Sequence, residues 1–118
     1  MSNETDIIGG LRIAGKYFRN DMRNIIIVFS DMIQYSPELK MSKNEITDKI
    51  QNQFANISIP EIKGGEVLVL TGEQPSITPV QMNNIKLFWQ SFLQKQDALV
   101  IGYGSGELID LNKLITSK

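Results

Sequence analysis

The sequence predicts an α/β fold in which a short parallel sheet of about three strands has helices on both faces, a three-layer α/β/α arrangement. Segments with apolar residues at helical spacing alternate strictly with short, β-branched apolar runs, and this alternation is typical of parallel strands joined by right-handed crossovers. The first such run, residues 24–30, is apolar enough to predict a strand buried on both faces. The 118 residues, 42% of them hydrophobic, suit one small domain.

The first helix and the first strand are predicted within residues 5–30. Apolar residues recur at helical spacing from Thr5 to Phe18, where Thr5 suits the N-cap and Asp6 the first turn. Asn24 to Ser30 then forms the first strand. We expect it to run parallel to the second strand, with the three strands in chain order across the sheet.

The middle of the chain predicts a second helix and a second strand. Residues 42–45, Ser-Lys-Asn-Glu, fit the capping-box pattern at a helix start. The apolar residues that follow on one helical face are Ile46, Ile50 and Phe54. Proline and glycine make residues 56–65 irregular, and residues 66–71 form the second buried strand.

The longest helix opens at Thr78, with Pro79 at its first helical position. Its apolar stripe, at a spacing that favours a core role over a binding patch, is Met82, Ile85, Trp89 and Phe92. Residues 98–101 form the third strand, and the glycine-rich residues 102–107 after it fit a turn better than a phosphate-binding loop, which needs the first strand. Residues 107–118 have weaker helical spacing.

Composition excludes several kinds of site. The chain has no cysteine and no histidine, so disulfides, zinc–thiolate sites, Ser-His-Asp triads and histidine-ligated metals are excluded. Any metal must be bound by oxygen, which favours Mg²⁺, Ca²⁺ or Mn²⁺. A net charge of −1 argues against a nucleic-acid surface. No segment is long enough to span a membrane and none resembles a signal peptide, which leaves the compartment open.

Asp31 is the strongest candidate site residue. It directly follows the first strand in the sequence NIIIVFSDMIQ, at the strand end where open α/β folds bind ligands. Alternatively, Asp31 caps the turn after the strand, as Ser-Asp pairs often do. Glu73, after the second strand, would lie on the same rim of the sheet and could assist a ligand or a cation.

The stretches TDIIGGLRIAGKYF and NIIIVFSDMIQ resemble the second half of a von Willebrand factor type A domain, which has a Rossmann-like fold. In that family a threonine opens the helix before the fourth strand and an aspartate ends that strand; both are ligands of the metal-ion-dependent adhesion site. The matching residues are Thr5 and Asp31, with Ser30 as the small hydroxyl residue before the aspartate. Met32 stands where glycine is common, as in a bacterial Ser-Asp-Met branch. GGEVLVLTGE and ALVIGYGS resemble later strands, so the resemblance covers about residues 4–104.

The family's central Asp-x-Ser-x-Ser motif is absent from this sequence. The resemblance therefore implies one partial domain over residues 1–118. It implies a metal site at Thr5, Ser30 and Asp31 that is weak or vestigial, because Mg²⁺ requires about six oxygen ligands. Apart from weakly bound Mg²⁺, no cofactor is implied.

Two functions remain open at this point. The first is a non-enzymatic, adhesion-type interaction module that binds a protein partner, or a second copy of itself, along the edge of the first strand. The alternative is a small Mg²⁺-dependent α/β enzyme that transfers phosphoryl groups with Asp31 and Glu73. The lack of histidine, and of a Lys or Arg placed beside Asp31, weighs against the enzyme.

Overall fold

The computed structural model describes residues 6–34, 48–72 and 77–105. Their elements, in chain order, are α1 (Ile7–Gly15), β1 (Ile25–Phe29), α2 (Asp48–Ala55), a 3₁₀ turn (Pro60–Ile62), β2 (Glu66–Thr71), α3 (Pro79–Lys95) and β3 (Leu99–Ser105). The strands form one sheet in the order β1-β2-β3, and both neighbouring pairs are parallel. The predicted α/β class, the parallel sheet and the strand order are therefore confirmed.

β3 is longer than the sequence predicts. It continues past Ile101 to Ser105, so that Gly102 lies opposite Leu68 and Ser105 lies opposite Thr71. A register shift between Val67 and Leu68 takes up one extra residue of β3, as in a β-bulge. Residues 102–105 are therefore strand rather than a loop, and the rest of the predicted glycine-rich turn, 106–107, lies outside the described residues.

The main cluster of buried hydrophobic residues lies on one face of the sheet. Ile26, Val67 and Val69 point to this face and pack with buried side chains from all three helices. Those helical side chains are Ile7, Ile8 and Leu11 of α1, Ile50 and Phe54 of α2, and Ile85, Trp89, Phe92 and Leu93 of α3. The buried stripe predicted for α3 is confirmed at Ile85, Trp89 and Phe92. Within the described ranges, no helix is both long and apolar enough to cross a membrane.

The two crossover helices, α2 and α3, are expected on the same face of the sheet because of the strand order. The chain moves from β1 to β2 to β3 in a single direction, and right-handed crossovers in one direction place their helices on the same side. Crossover helices lie on both faces only where the winding direction reverses. The three-layer arrangement therefore stays a prediction for this chain.

β1 is a half-exposed edge strand of the described sheet, not the strand buried on both faces that its composition predicts. Ile26 is buried, whereas Ile27 and Phe29, which point to the opposite face, are 41% and 77% exposed. By contrast, β2 is buried continuously from Val67 to Thr71. Among the described strands, β2 lies in the centre of the sheet with a neighbour on each side, whereas β1 has one neighbour.

α1 packs very closely on the 3₁₀ turn at its last residue, Gly15. A Cβ atom added there would lie 2.6 Å from the Cβ of Glu61 and 2.7 Å from the Glu61 carbonyl oxygen, and that backbone cannot move away cheaply. Gly10, in the same helix, has nothing within 4 Å of the corresponding position. The close approach explains why glycine, which weakens a helix, occupies position 15, and Gly10 is an internal control.

We expect Gly15→Ala and Gly10→Ala to change stability in opposite directions. Gly15→Ala should lower the free energy of unfolding by about 1–3 kcal/mol, because the added methyl overpacks the contact with Glu61. Gly10→Ala should raise it by about 0.5–1 kcal/mol, because alanine favours the helix. Urea denaturation followed by circular dichroism measures both. A gain of similar size in both variants would contradict the close packing at Gly15.

Candidate functional site at the carboxyl edge of the sheet

Ser30 and Asp31 leave β1 at the carboxyl edge of the sheet and cap the turn that follows. The Ser30 N–H still donates to the Leu70 carbonyl oxygen at 3.2 Å. The Met32 N–H donates to Ser30 Oγ and the Ile33 N–H donates to Asp31 Oδ1, each at 3.0 Å. These are side-chain turns in which each residue accepts from the backbone two positions later. The turn-capping role considered for Asp31 is thus present, and it engages one carboxylate oxygen.

Met32 has a left-handed backbone conformation, with φ = +64°. This conformation is strained for a residue with a Cβ, which is why glycine is favoured in it. The Met32 side chain is fully buried, and its carbonyl oxygen accepts a 2.6 Å hydrogen bond from Trp89 Nε1. These contacts hold the strained turn, so methionine can occupy the position where the resemblance leads us to expect glycine.

Gln34 connects this turn to the start of α1. Its buried Oε1 accepts from the N–H groups of Ile7 and Ile8, at 2.7 and 3.1 Å, and its Nε2 donates to Asp6 Oδ1 at 2.9 Å. Asp6 is the N-cap of α1, because its side chain accepts from the Gly9 N–H at 2.9 Å. Asp6, predicted in the first helical turn, therefore takes the capping role assigned to Thr5. The helix start lies next to the turn that carries Asp31.

Asp31 also lines a small cavity with Thr71 and Tyr103. The cavity has a volume of ≈ 10 Å³, and its apolar wall is formed by Ile77, Met82 and Ile85. Thr71 Oγ1 is buried and has no hydrogen-bond partner. Burial, and then the negative charge of Asp31, raises the pKa of Tyr103, so its phenol is neutral at physiological pH. Three residues with side-chain oxygen groups therefore line the same small cavity at this edge of the sheet.

The structure brings together part of the predicted site. Ser30 and Asp31 lie at the carboxyl edge, as predicted, whereas Thr5 and Glu73 lie outside the described residues. Sequence reasoning missed Gln34 and Tyr103. No local sequence pattern predicts that Tyr103 lies at this site, because its position opposite Val69 depends on the register shift between β2 and β3.

The described residues do not by themselves supply a full set of ligands for a Mg²⁺ ion. Among them, no group of three or more Asp, Glu, His or Cys side chains is placed to bind a metal. Asp31 supplies one carboxylate, and Ser30 Oγ already accepts from the Met32 N–H. Mg²⁺ requires about six oxygens in octahedral geometry. Weak Mg²⁺ binding at Thr5, Ser30 and Asp31 therefore stays a prediction, and no chemical step is assigned to a metal.

Comparisons with protein-family models, with curated proteins and with solved structures found no match for this chain. The likeness to a von Willebrand factor type A domain therefore rests on the sequence motifs and stays a prediction. The α/β class does not depend on that likeness, because the helices and the parallel sheet are seen directly.

Proposed function

We propose that the protein is a non-enzymatic interaction module that binds an extended segment of another polypeptide along the outer edge of β1. The observation that carries this proposal is the combination of an open strand edge with exposed apolar side chains. Among the described strands, β1 pairs with β2 alone, and Ile27 and Phe29 are exposed on the face beside that edge. Such an edge accepts an added strand readily.

The β1 backbone has hydrogen-bonding groups in the right direction for this role. The Glu66 N–H donates to the Asn24 carbonyl oxygen, and the Ser30 N–H donates to the Leu70 carbonyl oxygen. In a parallel ladder, alternate residues direct both backbone groups to the same neighbour, so the even-numbered residues of this stretch face β2. Ile25, Ile27 and Phe29 therefore direct their N–H and C=O groups to the outer edge.

The resemblance to a type A domain supports the same edge. In that family the counterpart of β1 pairs on this side with the strand that precedes the Asp-x-Ser-x-Ser motif, so the same edge takes a further strand there. The partner is thus a protein segment that supplies the neighbouring strand, and a second copy of this chain, with its own apolar edge strand, is one such partner. Any Mg²⁺ bound near Asp31 is accessory to this pairing.

Self-association through β1 is expected to depend on Phe29. Size-exclusion chromatography with light scattering, run over a dilution series, should show an average mass that rises with concentration. Phe29→Lys should leave a monomer, because a lysine on an edge strand opposes strand addition. Val80→Lys is the matched control: Val80 is 71% exposed on α3, close to the 77% of Phe29, and its replacement should leave association unchanged.

Two results would contradict this proposal. One is a wild-type monomer at every concentration that also melts above about 65 °C, beyond the usual mesophile range, because such a fold needs no added strand. The other is association that persists in Phe29→Lys, which would exclude the β1 edge as the interface.

A further inference from the structure

We propose that the cavity between Asp31, Thr71 and Tyr103 binds one primary ammonium group, from an alkylamine or from a lysine side chain. This site is separate from the outer edge of β1 and uses different residues. Binding of an ammonium group here does not depend on strand pairing at β1, so this proposal stands even if the proposal for the β1 edge fails.

Thr71 provides the first reason for a ligand in this cavity. The residue is only 6% exposed, and its Oγ1 has no hydrogen-bond partner. Proteins leave few buried hydroxyls in this state, because the lost hydration is not replaced. The adjoining cavity of ≈ 10 Å³ has space for about one water-sized group. A small polar group in that space would give the hydroxyl a partner.

The negative charge of Asp31 indicates that the small polar group in this cavity is a cation. Ion pairs in the described part of the chain join Arg19 to Asp21 and Arg23 to Glu66, and none of them involves Asp31. One Asp31 oxygen accepts from the Ile33 N–H, which does not neutralise the charge. The apolar wall of the cavity lowers the local dielectric and so strengthens the attraction of the carboxylate for a positive charge.

Tyr103 completes a set of three oxygen groups, which matches a primary ammonium better than a metal ion. An ammonium has three N–H donors and no acceptor, one donor for each of the Asp31, Thr71 and Tyr103 groups. A metal ion requires about six oxygens, and the other cavity residues, Ile77, Met82 and Ile85, offer only apolar side chains.

Titration of the ¹⁵N-labelled full chain with methylammonium chloride, followed by NMR, tests the assignment. We expect saturable shifts confined to amides around Asp31, Thr71 and Tyr103. The midpoint should be millimolar, because a ligand of two heavy atoms has little binding energy available. Sodium, magnesium and tetramethylammonium chlorides at equal ionic strength are the controls. Tetramethylammonium keeps the charge without any N–H donor, and none of the three should give saturable shifts.

Matched variants separate binding from folding. Thr71→Val removes the hydroxyl at nearly constant volume, so methylammonium binding should weaken about ten-fold while the melting temperature stays equal or rises. Asp31→Asn keeps an acceptor for the Ile33 N–H but removes the charge, and binding should be lost. Tyr103→Phe should weaken binding, whereas Tyr17→Phe, at a residue 80% exposed, should not.

Three outcomes would overturn the proposal: no saturable shift with methylammonium, equal binding in the wild type and Thr71→Val, or Mg²⁺ binding tighter than millimolar that disappears in Asp31→Asn. Nα-acetyl-lysine methylamide distinguishes the two ligand sources. Binding of this compound as tight as that of methylammonium supports a lysine side chain, and binding of methylammonium alone supports a free small amine.

Discussion

Trp89→Ala is expected to lower the free energy of unfolding by about 3–5 kcal/mol, because it removes the largest fully buried side chain. The indole makes edge-to-face contacts with Phe54, Phe88 and Phe92, with ring centroids 5.5–5.7 Å apart. Each such pair adds about 0.5–1.5 kcal/mol beyond simple burial. Trp89 thus joins α2 and α3, and its Nε1 also donates to the Met32 carbonyl oxygen.

Trp89→Phe separates these two contributions. Phenylalanine keeps an aromatic ring in the cluster but leaves the Met32 carbonyl oxygen without its donor, at a cost of about 1–3 kcal/mol. Trp89→Phe should therefore lower the free energy of unfolding by less than Trp89→Ala does. Since Trp89 is the only tryptophan, urea denaturation has to be followed by far-UV circular dichroism rather than by fluorescence. A loss below about 1 kcal/mol for Trp89→Ala would contradict the described core.

Gln34→Leu is expected to lower the free energy of unfolding by about 2–4 kcal/mol, because it leaves two buried N–H groups, those of Ile7 and Ile8, without their acceptor. Leucine has a similar volume, so the loss reports hydrogen bonding more than packing. Gln94→Leu, at an exposed glutamine of α3, is the control and should change stability by no more than about 0.5 kcal/mol. A similar small change in both variants would exclude Gln34 as the group that binds the start of α1.

The loss caused by Gln34→Leu should also become smaller at acidic pH. The hydrogen bond from the Gln34 side chain, and then that from the Gly9 N–H, lowers the pKa of Asp6 below its ordinary value. A carboxyl group whose pKa is lowered by folding stabilises the fold above its unfolded pKa of about 3.9, and this stabilisation disappears as the pH falls through the folded pKa. Wild-type protein should therefore lose part of its advantage over Gln34→Leu below about pH 4. Denaturation series at pH 7 and pH 3 measure this difference.

The sequence by itself determined the elements whose signals are local. Residues 66–71 are a strand in both the prediction and the structure, because a short β-branched run suits a buried parallel strand. α3 begins after Thr78, with Pro79 in its first turn, because capping chemistry involves only neighbouring residues. The strict alternation of helices and strands was enough to predict the parallel sheet and its strand order. Ser30 and Asp31 were placed at the carboxyl edge by the same reasoning.

Only the tertiary structure decided which faces and edges are covered and which polar groups meet. An apolar composition does not distinguish a central strand from an edge strand, so the exposure of Ile27 and Phe29 became visible only in the assembled sheet. The partners of Gln34 are 26–28 residues away along the chain, and the carbonyl that Trp89 binds is 57 residues away. No local pattern encodes such pairs, because they form only when packing and strand register bring distant segments together.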